Sequence, residues 1–193
     1  MGKDRLAAFS DGVFAIIITI MVLGLREPQG ADWSALRAVA PDLLAYALSF
    51  VYVAIYWVNH HHLLHTVTRV DGLILWANVN LLFWLSLVPF TTAWMGANLL
   101  APVPTAVYAV SALLPGIAYS LLQRAILHRH GRQSVLAKAL GRHDVKGKIS
   151  LACYTAAVVL AFVSAWLSIA LFVTVAVIWL VPDRRIEKAL RET

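Results

Sequence analysis

Apolar runs of roughly twenty residues, each closed by a short polar stretch, repeat along this chain. A helix needs about 20 residues to cross a hydrocarbon layer of about 30 Å. On that measure six apolar helices are predicted, at 6–25, 43–62, 72–95, 103–127, 149–164 and 167–181. The last two share one unbroken run, Ile149–Val181, read as a helical hairpin turning near Ser164–Ser168. Pro41, Pro102 and Pro104 stand where helices begin, which suits a residue without an amide proton. Pro89 and Pro115-Gly116 fall inside helices and predict kinks.

Composition sharpens that pattern. Of 193 residues, 61% are hydrophobic and 13% charged, with a mean hydropathy of +0.76. A water-soluble domain has no use for so much apolar material, because its surface must be wet. The reading is an all-α membrane protein, a single domain over 1–193 with six transmembrane helices per subunit. No extramembrane portion is large enough for soluble-phase chemistry. Seven Trp and six Tyr suit helix ends at the lipid–water boundary. One cysteine, Cys153, leaves no intrachain disulfide and no cysteine-based metal site. Lys3 and Arg5 ahead of Gly12–Leu25 have the outline of a signal peptide, but Leu25-Arg26-Glu27-Pro28 follows in place of a small-x-small cleavage site. The segment is read as a retained span.

Charge sets the orientation. In a six-span arrangement fourteen of the sixteen Lys and Arg fall on one side, and only Arg26 and Arg37 on the other. The positive-inside rule then puts both termini and the basic connection Arg124–Lys148 in the cytoplasm of a multi-pass cell-membrane protein. Topology and loop solvation account for that connection ahead of anionic lipid or nucleic acid, and no nucleic-acid partner is expected.

The first predicted helix carries the candidate chemistry. Arg5, Ser10 and Asp11 sit at the lip of the apolar stretch Gly12–Leu25. Ionisable groups at membrane depth are costly and usually face protein or water. At 100° per residue Ile16, Thr19, Ile20 and Leu23 share one face, extended by Gly12, while Asp11 points about 140° away from Ile16. A bundle core or lipid could each account for such a stripe. The apolar part is only fourteen residues long, however, and that favours a central place sheltered by the other five helices. Asp11 suits a first helical turn and Ser10 a local cap. Both are also expected to bond across to Trp57, Asn59, His60 or Asn80.

At these residues the chain resembles the transmembrane-protein-175 family of potassium channels. The family's Arg-x-x-x-Phe-Ser-Asp signature is met at Arg5, Phe9, Ser10 and Asp11, and its Trp-x-x-His-His stretch at Trp57, His60 and His61. Asn78, Asn80, Leu81 and Pro89-Phe90 are similar in character to the family's next helix. The resemblance implies a central, pore-lining first helix and bulky aliphatic side chains in place of a carbonyl filter. The constriction would fall at Ile16, with Ile20 and Leu23 as further apolar layers and Thr19 as a polar position between them. A single six-helix repeat implies a homotetramer in lipid, conducting K⁺, with no cofactor beyond the permeating ions. An apolar ring narrow enough to expel water would act as a hydrophobic gate.

Asn59-His60-His61-His62 and His65 form the other unusual cluster. His61 and His65 are four apart and share a face, as helical metal ligands do, but no Glu-x-x-His or His-Glu-x-x-His pattern supplies further ligands. Packing and hydrogen bonding are the expected roles, and no metal is predicted. The competing function is a proton-coupled or proton-conducting transporter using Asp11 and these histidines. No nucleophile–base pair or phosphate-binding glycine loop points to an enzyme.

Overall fold

The computed structural model describes residues 2–131, 136–137 and 145–180. Eight numbered helices fall among them: α1 Lys3–Leu23, α2 Trp33–Ala38, α3 Ala40–His65, α4 Gly72–Ser86, α5 Val88–Ala97, α6 Pro102–His130, α7 Val145–Leu160 and α8 Ala165–Leu180. The expected basic positions Arg132, Lys138, Arg142, Arg184, Arg185, Lys188 and Arg191, and Val181 at the end of the last predicted helix, lie outside the described residues.

Among the described residues four helical stretches are long and apolar enough to cross a membrane: α1, α3, the pair α4–α5 taken together, and α6. A helix covers most of each of the six predicted stretches, and α7 and α8 have 16 described residues each. At 1.5 Å per residue the described part of each is about 24 Å long.

Breaks and starts follow local chemistry. Pro41 and Pro102 open α3 and α6. The α4–α5 helix is interrupted at Leu87, two residues before Pro89, whose ring and missing amide disfavour a continuous ladder there. Pro115 sits within α6 without ending it. Asp71 caps α4, its Oδ1 accepting from the Ile74 amide at 3.0 Å. Asp32 caps the short α2, which the apolar pattern does not reveal, accepting from the Ala35 amide at 2.8 Å. That amide holds the Asp32 carboxyl below its ordinary range, with the Ser34 hydroxyl adding to the effect.

The hairpin turns at Ala161–Ser164, slightly earlier than the predicted Ser164–Ser168. Ser164 N donates to Leu160 O at 2.7 Å and closes the turn. Ser168 is already in α8, buried, donating to Ala157 O at 2.9 Å. At the far end Trp179 Nε1 donates to Ser150 Oγ at 2.7 Å, so the hairpin is pinned at both ends.

The expectation of a first helix sheltered by the other five is not met within the subunit. α6 occupies the middle, packed on α4, α5, α7 and α8, whereas α1 lies on one side against α3, α4 and α5. Side-chain size accounts for this. α6 buries Ala106, Ala109, Ala112, Ala118 and Ala125, which let neighbouring backbones approach. A polar seam adds directionality between α3, α5 and α6. Ser49 Oγ and Tyr108 Oη lie 2.9 Å apart, Thr92 donates to Ser49 at 2.7 Å, and Thr91 and Ser111 meet at 2.8 Å. No buried side-chain polar atom among the described residues lacks a hydrogen bond.

Candidate ion pathway

α1 has two faces. Leu6, Ser10, Phe14, Ile17 and Met21 form the buried one, pressed on α3, α4 and α5. Ile16, Ile20 and Leu23 form the other and are 57%, 48% and 81% exposed. Thr19 and Gly12 lie exposed on the same stripe. The subunit itself therefore leaves uncovered the whole row of candidate pore positions. Exposed aromatics mark other faces, with Trp76 on α4, Phe90 on α5 and Trp166 on α8, but none interrupts the α1 stripe from Gly12 to Leu23.

Thr19 has a specific polarity. Its hydroxyl lies 3.0 Å from both Ala15 O and Ile16 O, so its one proton is committed to its own helix. The oxygen is left to act outward as an acceptor, the polarity that suits a cation.

A directional hydrogen-bond chain holds the buried face. Ser10 Oγ donates to Leu6 O at 2.9 Å and accepts from Asn78 Nδ2 at 3.0 Å. Asn78 Oδ1 lies 2.7 Å from His60 Nε2. With the amide oxygen as acceptor, that nitrogen must carry the proton. The chain joins α1, α4 and α3, and Ser10 and Asn78 are fully buried. The His60 ring also packs on Phe14, with centroids 5.4 Å apart. Next to it, Trp57 Nε1 donates to Asp11 Oδ1 at 2.9 Å.

The structure thus brings Ser10, Asp11, Trp57 and His60 together, but neither of the expected asparagines joins them. Asn78 is the hub and Asn80 is not, since Asn80 Oδ1 accepts from Trp84 Nε1 on its own helix at 3.2 Å. Two residues along a helix is about 200°, so the two asparagines face opposite ways. Asn59 also turns away, donating to Ile55 O at 2.8 Å. Arg5 and Phe9 are exposed, and Arg5 meets no carboxylate among the described residues. His61 is exposed beside Trp57 and His65.

Nothing in this arrangement is a nucleophile activated by a base, because the Ser10 proton goes to a backbone carbonyl. It is a clamp on one side of a helix whose other side is free. Comparison with known proteins places that geometry. The family model described as endosomal/lysosomal potassium channel TMEM175 matches residues 5–89, a span holding the α1 motif, the α3 histidines and Asn78. A potassium channel of Chryseobacterium sp. (strain P1-3) is 48% identical over 192 residues, covering 100% of both chains. The chain belongs to the TMEM175 family.

The TMEM175 fold is matched as well. The crystal structure of a lysosomal potassium-selective channel TMEM175 homolog from Chamaesiphon minutus superposes with a TM-score of 0.80 at 32% identity, covering 94% of this chain and 97% of that one. The endosomal/lysosomal proton channel TMEM175 of Danio rerio is 38% identical over 86 residues, 38% of this chain and 16% of its own. TMEM175 membership makes this chain a multi-pass membrane protein of the ion-channel class and not an enzyme.

Proposed function

We propose that four copies of this chain surround a potassium-selective pore in the cell membrane, with α1 of each copy lining the axis. The observation that carries the reading is the uncovered Ile16–Thr19–Ile20–Leu23 row on the helix whose opposite face is clamped. Four Ile16 side chains around an axis would form a ring that expels water, gating by dewetting. Ile20 and Leu23 would add apolar layers, and the Thr19 oxygens a ring of acceptors. K⁺ sheds water more readily than Na⁺, so an apolar neck with hydroxyl acceptors favours K⁺ without a carbonyl cage. Each subunit would cross six times, α7 and α8 included, with both termini in the cytoplasm. The names of the relatives from Chryseobacterium and Chamaesiphon support potassium as the permeant ion.

A proton-conducting reading draws on the Danio rerio relative, named a proton channel, and on the Ser10–Asn78–His60 chain. Chemistry weighs against that chain as a relay. A carboxamide at its centre donates and accepts hydrogen bonds but does not take up and release a proton near neutral pH. Bi-ionic reversal potentials of the purified protein in planar bilayers separate the two. Potassium conduction makes the reversal potential follow the K⁺ gradient at fixed pH. A reversal potential that follows the pH gradient and ignores K⁺ contradicts the proposal.

A further inference from the structure

Three histidines near the α3–α4 end of the bundle are free of the network above, and two of them form a pair with its own geometry. His61 and His65 stand one turn apart on α3, both exposed, with ring centroids 4.5 Å apart and planes inclined at 63°. Neither ring hydrogen-bonds another described residue, in contrast to His60, held by Asn78, and His130. In His130, Nε2 accepts from the Thr68 and Arg69 amides while Nδ1 faces Ile126 O at 3.0 Å. The pair is braced from below. The Trp57 ring lies 6.2 Å from His61, and its indole is fixed by Asp11 at 2.9 Å. Lys3 Nζ donates to His65 O at 3.0 Å, fastening the start of α1 to the same turn.

We propose that His61 and His65 are a binding site for a divalent transition-metal ion. Imidazole nitrogens one helical turn apart can converge on one ion at about 2.0–2.1 Å. Here only side-chain rotation of two exposed rings is needed, with no backbone movement. Imidazole selects Ni²⁺, Cu²⁺ and Zn²⁺ over Mg²⁺ and Ca²⁺, which take oxygen ligands. Among the described residues no third His, Cys, Asp or Glu completes a ligand set. Water fills the remaining positions, so the ion exchanges with solvent as in a modulatory site and unlike a closed structural one. The site adjoins the Lys3 anchor, so an arriving dication would act by charge on the point where α1 is tied to α3.

Isothermal titration of the tag-free, detergent-purified chain with Ni²⁺ tests the site, and it reads the pair whether or not the protein conducts. The wild type is expected to take up one Ni²⁺ per subunit. His61→Gln and His65→Gln should each weaken uptake by about tenfold or more, since even outer-shell changes cost that much at metal sites. His62→Gln should leave it unaltered, and a Mg²⁺ titration should give no heat of binding. Wild-type protein that takes up no Ni²⁺ would overturn the proposal, as would either Gln variant of the pair binding like wild type.

Discussion

Asn78 on α4 is tied to Ser10 on α1 by a buried hydrogen bond of 3.0 Å, made where neither side chain touches lipid or water. The same carboxamide takes its other bond from His60 on α3 at 2.7 Å, so one residue sets the spacing of three helices. Interhelical hydrogen bonds in membranes average only about 0.6 kcal/mol, because the separated helices find other partners. Stranding a buried polar atom costs more, about 1–3 kcal/mol.

That asymmetry predicts unequal costs along the chain. Asn78→Ala strands His60 Nε2, takes one of two hydrogen bonds from Ser10 Oγ and opens a cavity, and should lower thermal stability by about 2–4 kcal/mol. Ser10→Ala leaves the Asn78 Nδ2 donor without its acceptor but keeps the bond to His60, and should cost less, about 1 kcal/mol. Thermal unfolding followed by size-exclusion chromatography checks the order; Ser10→Ala as damaging as Asn78→Ala would contradict it.

Asp11 should act as a fastener more than as an ion site, since its carboxylate is engaged by Trp57. Asp11→Ala is expected to lower oligomer yield as much as it alters conduction. Asp11→Asn keeps an acceptor for the indole and should retain most of the yield. A fully stable Asp11→Ala oligomer with changed permeation alone would make Asp11 a direct ion site.

At Gly96 the α5 backbone lies close against α3. A Cβ there would lie 2.8 Å from Asp42 Oδ1 and 3.0 Å from its Cα. Asp42 cannot swing away freely, because Arg26 grips its Oδ2 from both Nε and a terminal nitrogen at 2.9 Å. Gly96→Ala should therefore cost about 1–3 kcal/mol, as overpacked sites do, read as a fall in midpoint temperature. Unchanged stability would show that the two helices separate easily.

Thr19→Val keeps the shape of the side chain and removes the outward oxygen. The Thr19 hydroxyl bonds only its own helix, so stability should change by less than about 0.5 kcal/mol. The preference for K⁺ over Na⁺ should fall, measured as a shift in bi-ionic reversal potential. Selectivity equal to wild type would remove Thr19 from the ion path.

Where periodicity alone decides, the sequence was legible. Helix positions followed from apolar length, and the two faces of α1 follow from the spacing of Ile16, Thr19, Ile20 and Leu23. Trp57 as the partner of Asp11 was within reach because few polar side chains share that depth. The choice between Asn78 and Asn80 was not, since it depends on the rotation of α4 about its axis, and an almost wholly apolar helix gives no polar face to fix that angle. The place of α1 at the side of the subunit was equally hidden. Chain length tells whether a helix spans, but packing on small residues decides which helix sits in the middle, and α6 has them. The capped turn of α2 had Asp32 as its cue, a cap residue too common to stand out beside twenty-residue runs.

Whether Ile16 faces permeating ions decides the pore assignment, and thiol chemistry measures that directly. In a Cys153→Ser background, which removes the chain's one native thiol, Ile16→Cys channels in a planar bilayer are exposed to Ag⁺, a monovalent cation that binds thiolate. Irreversible block of the Ile16→Cys current, with Ile17→Cys on the buried face unaffected, is the predicted result. An Ile16→Cys current indifferent to Ag⁺, alongside block through a cysteine on another helix, would contradict it.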